Sequence, residues 1–293
     1  MSDDAAVQLE RRTRREVFGA GVAIAAWHFV LTEPVPAHVH DFIEIALVTA
    51  GAGWHTTAEG TQRLTLGDVV VVRPGAWHSY VPDVDEGAFE VTNAYLGAET
   101  VHAELAWVLD YPRLARLLLV GGRLEAPLPD RSRVRVDAWL GQLAQERHQP
   151  DRLLNAGLLQ CALVEMSRST EQQVPSTPPR LSRPVRDVLQ TMSDDLARPW
   201  TVPELASRAQ VSPSSLYRQF HEQLGSGPVE RLTLMRAEAA ATLLVQTDLP
   251  VASVGRLVGW PDPSYASRRF RRVYQVSPVV YRRLHGTGSA TML

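Results

Sequence analysis

The sequence is poor in cysteine. Cys161 alone excludes an intramolecular disulfide framework and a four-thiolate zinc site, and it points to a reducing compartment. Lysine is missing altogether, so all 30 basic residues are arginine. Guanidinium forks suit bidentate contacts to phosphate and guanine, although a GC-rich genome produces the same bias and carries more weight here. No apolar run approaches the roughly 20 residues of a membrane helix. The longest candidate, residues 19–31, is broken by His28, so we expect a cytoplasmic chain with no membrane span. Arg14 and Arg15 precede that run in the manner of a twin-arginine export signal, but no small-residue cleavage site follows. The run reads as a β-strand.

Net charge is also small, −2 over 293 residues, and that average hides two unlike parts. Residues 1–179 hold 15 Arg against 23 Asp and Glu, a net of −8, whereas residues 180–293 hold 15 against 9, a net of +6. The basic C-terminal part points to a polyanionic partner for that part alone. The length suits two compact units. With 45% hydrophobic and 21% charged residues, both can bury a core.

Short β-branched or alternating runs at 23–31, 44–50, 63–66, 69–72 and 89–96, punctuated by Gly and Pro, predict strands of a sandwich or barrel. From residue 99 to about 168 the chain turns Leu/Ala-rich, and 134–147 and 153–166 show helical spacing. The stretch EQQVPSTPPRLS, residues 171–182, lacks apolar periodicity and reads as a linker. Beyond it, Val185, Val188, Leu189, Met192 and Leu196 form the stripe of an amphipathic helix. The expected fold class is α+β: domain 1–170 of strands with appended helices, linker 171–182, all-helical domain 183–286, and flexible tail 287–293.

Thr201 and Glu204 have the spacing of a capping box, with Pro203 tolerated in the first turn. Ala206 is small enough for a close helix crossing, Val211 plugs a turn, and Ser212-Pro213 starts a second helix. Leu216 and Phe220 would form its buried side, leaving Ser214, Ser215, Tyr217, Arg218 and His221 about the outer face. The pattern returns about 50 residues later: Phe220 matches Phe270 and Pro228 matches Pro278, each 50 apart. In that copy Ala266 and Phe270 take the core side, and Ser264, Tyr265, Arg268, Arg269, Arg271 and Arg272 lie around the exposed arc. The Ala/Leu-rich stretch 229–246 reads as a long helix that fixes the separation of the two units, which suits two successive DNA grooves. A lone helical hairpin is common, but two copies with a basic excess make that bland explanation weaker.

Residues 183–285 resemble the DNA-binding domain of AraC/XylS-type transcriptional regulators. The resemblance is carried by the ELA…VS…LYRQF core, the RLTLMRAEAAATLL helix, and GW.D.SY..R.FR..Y..SP..YRR. It implies seven helices with two helix-turn-helix units, each placing its second helix in the major groove of double-stranded DNA. Gly255 replaces a usual Ala, Ala266 a usual Phe, and Gln275-Val276 a glycine. A glycine in the second supporting helix costs up to about 1 kcal/mol against Ala.

In the N-terminal part, His38, His40 and Glu44 share parity, so on one uninterrupted strand all three would point to one face. Residues 67–78 then read as turn, apolar strand, turn, and a fourth ligand, His78. Three imidazoles and a carboxylate suit Zn, Ni, Fe or Mn with room for water or an effector. Residues 20–96 resemble the cupin superfamily: His38-x-His40-x3-Glu44-x6-Gly51 fits its first motif, and the second fits more loosely. The resemblance implies a small β-barrel with a central pocket. The bland alternative is an inherited scaffold whose histidines only hydrogen-bond.

Trp27, Trp54 and Trp77 would supply an aromatic wall to an effector pocket with His38, His40, Glu44 and His78, or else be ordinary core. His28 and His55 are uninformative alone. Residues 11–15 read as a solvated basic tail, and Cys161 as buried packing. The reading is a transcription factor with a cupin-like sensor for a small molecule such as a sugar or other metabolite. It would pair as a homodimer through the helices near 134–166, and the family also allows RNA polymerase as a partner. We expect no catalytic activity. The competing reading is a metal-dependent cupin enzyme carrying a DNA-binding appendage, and a third is a ligand-free scaffold.

Overall fold

The computed structural model describes residues 10–12, 17–18, 24–97, 100, 105, 107–108, 111–146, 151–173, 181–274 and 276–285. Two five-stranded sheets stack in the N-terminal part. One has the order β1 (Glu10–Arg12), β3 (Val35–His40), β8 (Trp77–Pro82), β5 (Ala52–Thr57), β6 (Gly60–Thr65). The other runs β10 (Gly122–Arg123), β7 (Val69–Val72), β4 (Ile43–Ala50), β9 (Phe89–Leu96), β2 (Ile24–Leu31). All pairings are antiparallel except β1 with β3.

The expected strands are present, and the run at 19–31 yields β2. Residues 10–12 are not a solvated tail. They pair with β3 so that Arg12 lies opposite His40, and residues 13–16 fall outside the described residues. Strand alternation divides the second sheet into two faces. Ala46, Val48, Val70 and Val91 meet Leu64 and Tyr80 of the first sheet in the sandwich interior. Ile43, Ile45, Leu47 and Ala94 face outward and are covered by helices.

Those helices are α1 (Pro112–Val120), α2 (Asp130–Gln145) and α3 (Arg152–Gln173). They bury Leu114, Leu118, Val136, Leu140, Leu159, Leu163 and Met166 on their own sheet and on one another. Most of the stripe assigned to a partner chain is therefore intramolecular. α3 presents an outer strip instead, with Leu153 84% and Leu154 45% exposed and with Gly157 and Cys161 exposed at helical spacing beyond them. Cys161 is thus on the surface rather than buried. α3 continues to Gln173, through the first residues of the expected linker; residues 174–180 and the tail 286–293 lie outside the described residues.

The C-terminal part contains α4 (Arg183–Asp194), α5 (Val202–Arg208), α6 (Pro213–Leu224), α7 (Pro228–Gln246), α8 (Val251–Leu257), α9 (Pro263–Tyr274) and α10 (Pro278–His285). The capping box forms as expected: Thr201 Oγ1 accepts from Glu204 N, and the Glu204 side chain accepts from Thr201 N. The core covering the outer sheet face continues into Val185, Val188, Leu205, Leu216 and Phe220, so the first unit shares its core with the sensor domain. The second unit has its own, of Val254, Trp260, Phe270, Tyr274 and Tyr281 against Ala237, Ala241 and Leu244 of α7. Among the described residues no helix is long and apolar enough to cross a membrane.

Candidate functional site

His38, His40 and Glu44 do converge, but not on one strand. β3 ends at His40, Asp41 and Phe42 form a bend, and β4 begins at Ile43 in the opposite sheet. The two histidines therefore look across the interior at Glu44. His78 joins them because β8 pairs with β3, placing His78 opposite His38.

Potential ligand atoms of His38, Glu44 and His78 all lie within 4.8 Å of one another. Glu44 Oε2 is 3.6 Å from His40 Nε2 and 3.9 Å from His78 Nε2. Each of the three candidate histidines spends its Nδ1 on a fixed partner: His38 on Pro36 O (2.9 Å), His40 on Phe42 O (2.8 Å), His78 on His55 Nε2 (3.3 Å). That leaves the Nε2 atoms for the centre, and those of His40 and His78 are buried without a hydrogen-bond partner. An outer hydrogen bond on Nδ1 is how proteins orient a metal-ligating imidazole.

Burial pushes the four imidazoles of the interior down, His40 to about 3 and His55 to about 4, so they are neutral at pH 7. Burial likewise raises Glu44 to about 7, against the lowering effect of a 3.1 Å hydrogen bond from Tyr80 Oη to Glu44 Oε1. Neutral imidazoles with a carboxylate that a bound cation would hold ionised are the donor set a divalent transition metal takes. Ligands at about 2.1 Å from an ion stand roughly 3 Å apart, so a small inward movement would complete a site. The residues fit the group.

His55 was the residue sequence reasoning missed. It sits on β5 opposite Tyr80, stacks on that ring (centroids 4.8 Å), and has Gln62 Nε2 3.4 Å from its Nδ1. The available signal was alternation: in Trp54-His55 and in Trp77-His78, adjacent rings on a strand must face opposite ways. His55 and His78 are buried, so Trp54, 42% exposed, and Trp77, intermediate, lie on the outer face. They do not line the interior. Trp27 does share the inner face, beside Phe18, Phe42 and Tyr95. His28 lies at the periphery, bonded to Thr92 Oγ1 at 3.0 Å.

In the C-terminal part, Ser214, Tyr217, Arg218 and His221 of α6 are exposed, and so are Ser264, Tyr265, Arg268, Arg271 and Arg272 of α9. Ser215 is half-buried and accepts from Gln219 Nε2 (3.0 Å), which turns it toward α4. Arg269 is half-buried, its guanidinium 4.9 Å from the centre of the Tyr265 ring. Tyr217 packs on His221, with ring centroids 4.4 Å apart.

The first helix and turn of each unit correspond at a spacing of 49, not 50: Val211 N donates to Ala206 O, and Trp260 N to Gly255 O. The second helices, Pro213–Leu224 and Pro263–Tyr274, correspond at 50, so the second turn is one residue longer. A Cβ on Gly255 would stand 3.0 Å from Trp260 O. Glycine there answers close packing rather than loosening the helix.

Two family models match this chain, an AraC-like ligand binding domain over residues 20–163 and a helix-turn-helix domain over 205–284. The chain is an AraC-type transcriptional regulator. Among relatives of this regulator, the transcriptional activator RhaR of Shigella dysenteriae is 26% identical over 251 residues, 85% of this chain and 87% of that one. An AraC-like transcription regulator of Streptomyces antibioticus is 39% identical over 99 residues, 34% of this chain and only 33% of that protein. ToxT of Vibrio cholerae shares the fold at 12% identity and a TM-score of 0.52, covering 91% of this chain and all of that one. A second ToxT structure, with an unsaturated fatty acid bound, aligns at 15% identity and the same TM-score over 92% of this chain and 97% of that one. The regulator is thus a ligand-binding sensor joined to a DNA-binding domain.

Proposed function

We propose that this regulator senses its effector at the buried histidine–glutamate cluster, and that His38, Glu44 and His78, flanked by His40, hold a divalent transition metal there. The observation that carries the reading is the pair of unpartnered Nε2 atoms on His40 and His78, both within 4 Å of Glu44 Oε2. Buried polar atoms without partners are costly, and an ion would satisfy both. When bound, the ion supplies a Lewis-acidic anchor for oxygen donors of a small effector. Tyr80 holds Glu44 by its other oxygen, and His55 holds His78. The polar lining favours a hydroxylated or carboxylated metabolite, sugars included, over a hydrocarbon chain. The regulators among the relatives favour sensing over catalysis.

DNA would be read by Arg218 and its neighbours on α6 and by Arg268, Arg271 and Arg272 on α9. Two copies would pair along the exposed strip of α3, Leu154, Gly157 and Cys161. The test is metal analysis of the purified full chain, together with selection from a pool of randomised duplexes. We expect one divalent ion per chain and enrichment of a sequence covering two successive major grooves. A chain that carries no metal and shows no melting shift with Zn, Ni, Fe or Mn overturns the metal reading. A pool that emerges unenriched overturns the DNA reading.

A further inference from the structure

The two reading units do not share a core. Leu205, Leu216 and Phe220 of the first are continuous with the sensor, whereas the second packs around Trp260 and Phe270. The linker helix α7 passes from one core to the other within two residues: Leu232 and Met235 lie in the first, Ala237, Ala240 and Ala241 in the second. Arg236 stands at that crossing and is buried. Its guanidinium enters a cup of carbonyls in the loop between α4 and α5. Nε donates to Leu196 O at 2.9 Å and Nη2 to Arg198 O at 2.6 Å, with Ala197 O at 3.5 Å. That loop belongs to the first unit and is held stiffly. Trp200 Nε1 donates to Asp195 O at 2.8 Å, and the Trp200 ring carries the guanidinium groups of Arg198 and Arg208, whose carbons lie 4.4 and 4.9 Å from its centre.

The second unit meets the same guanidinium. Gly259, in the turn between α8 and α9, has φ +85°, and a Cβ there would stand 2.5 Å from Ala197 O and 2.8 Å from Arg236 Cζ. A residue without a side chain lets the turn ride this close. Burial lowers the Arg236 pKa, and the phenol of Tyr265, in the first turn of α9, counteracts it. One buried side chain of α7 thus holds the entry loop of the first unit and bears on the turn and the recognition helix of the second.

We propose that Arg236 is a positioning residue for DNA reading: it fixes the angle of α9 relative to α6, and so the number of base pairs the regulator accepts between the two boxes it reads. The inference rests on the two-groove reading above and adds what sets the spacing. A linker helix by itself leaves two separately cored units free to rock about it. A planar guanidinium fork seated on carbonyls of one unit, with the backbone of the other laid against it, removes that freedom. Each base pair inserted between the boxes moves the second by about 3.4 Å and turns it by about 35°, so a stiff joint makes spacing as selective as sequence.

The experiment uses the full chain. A preferred duplex is selected from a randomised pool, and affinity is then measured with the spacer between its boxes shortened or lengthened by single base pairs. Wild type should lose about tenfold or more for each change, because protein or DNA must deform to meet both boxes. Arg236→Met keeps the apolar stem but has no donor; it should lose less than about threefold while enriching the same bases within each box. Arg236→Lys, which keeps the charge without the fork, should fall between. Gly259→Ala presses on the guanidinium from the other side and should flatten the profile with Arg236 in place. An arginine that only supported the fold or lent positive charge would cost the same factor at every spacing. An equal loss at every spacing, or a wild-type profile in Arg236→Met, overturns the proposal. Should Arg236→Met fail to fold by circular dichroism, Arg236→Lys and Gly259→Ala decide by the same two criteria. A wild-type chain indifferent to spacing overturns instead the two-groove reading on which the proposal stands.

Discussion

Glu44 and His78 belong to opposite sheets, yet Glu44 Oε2 lies 3.9 Å from His78 Nε2 in the sandwich interior. Metal should therefore bridge the sheets and stabilise the fold as a whole. At an ion concentration 100 times Kd, stabilisation should be about 2.7 kcal/mol. Calorimetry with and without chelator reads it, and Glu44→Gln should abolish the difference. Replacing His55 by Phe keeps a ring on Tyr80 but removes the nitrogen facing His78, and should weaken metal binding about 10- to 100-fold. Unchanged affinity in both variants would place the ion elsewhere.

Metal-free protein should lose stability in acid. Imidazoles whose folded pKa is lowered, His40 to about 3 and His55 to about 4, bind fewer protons folded than unfolded. Their contribution is whole above about pH 6.5 and falls as pH drops toward 3. Glu44, raised to about 7, acts oppositely: it favours the folded state below its unfolded value near 4.5 and loses that advantage as pH climbs to 7. Four lowered histidines outweigh one raised glutamate, so urea midpoints should fall from pH 7 to pH 4. Replacing His40 by Asn should flatten the slope, and a midpoint rising on acidification would contradict the assignment.

Arg218→Ala and Arg268→Ala should each weaken DNA binding. If either reads a base, preference should relax at one position by about 1–3 kcal/mol; if it holds phosphate, the loss should be even across sequences and the salt slope shallower. Retention of both affinity and preference in the double variant would remove α6 and α9 from the interface.

A bismaleimide linker should join two chains through Cys161 if α3 pairs with its copy, since that thiol is on the exposed strip. Leu154→Asp should abolish the cross-linked species and leave a monomer by light scattering. Efficient cross-linking by Leu154→Asp would argue against pairing along this strip.

Gly259→Ala should destabilise the C-terminal domain by about 1–3 kcal/mol, because alanine is strained at positive φ. The backbone φ is +85°, and a Cβ would press to 2.5 Å from Ala197 O. Thermal unfolding measures the loss, and a melting point equal to wild type would mean the contact gives way freely.

The helix-turn-helix units were legible because their information is local. The Thr201 and Glu204 cap, the Leu216 and Phe220 side and the arginine arc all follow from spacing along single helices, and burial follows the same order. The sensor was less so. Parity correctly gathered His38, His40 and Glu44, but the cause is a change of sheet at Asp41 and Phe42, which no alternation pattern reveals. His55 and the outward turn of Trp54 depend on which face of β5 meets β8, a non-local choice. Cys161 looked like core because its neighbours Ala162 and Leu163 are core. One step of 100° around α3 carries it to solvent.

The extra residue in the second turn makes the two reading modules non-interchangeable. Transplanting α9 behind the first support, or α6 behind the second, would separate each helix from the cap that its own turn supplies, Ser212 for α6 and Asp262 for α9. Engineering of altered operator preference in this regulator should therefore exchange 202–224 and 251–274 as whole cassettes.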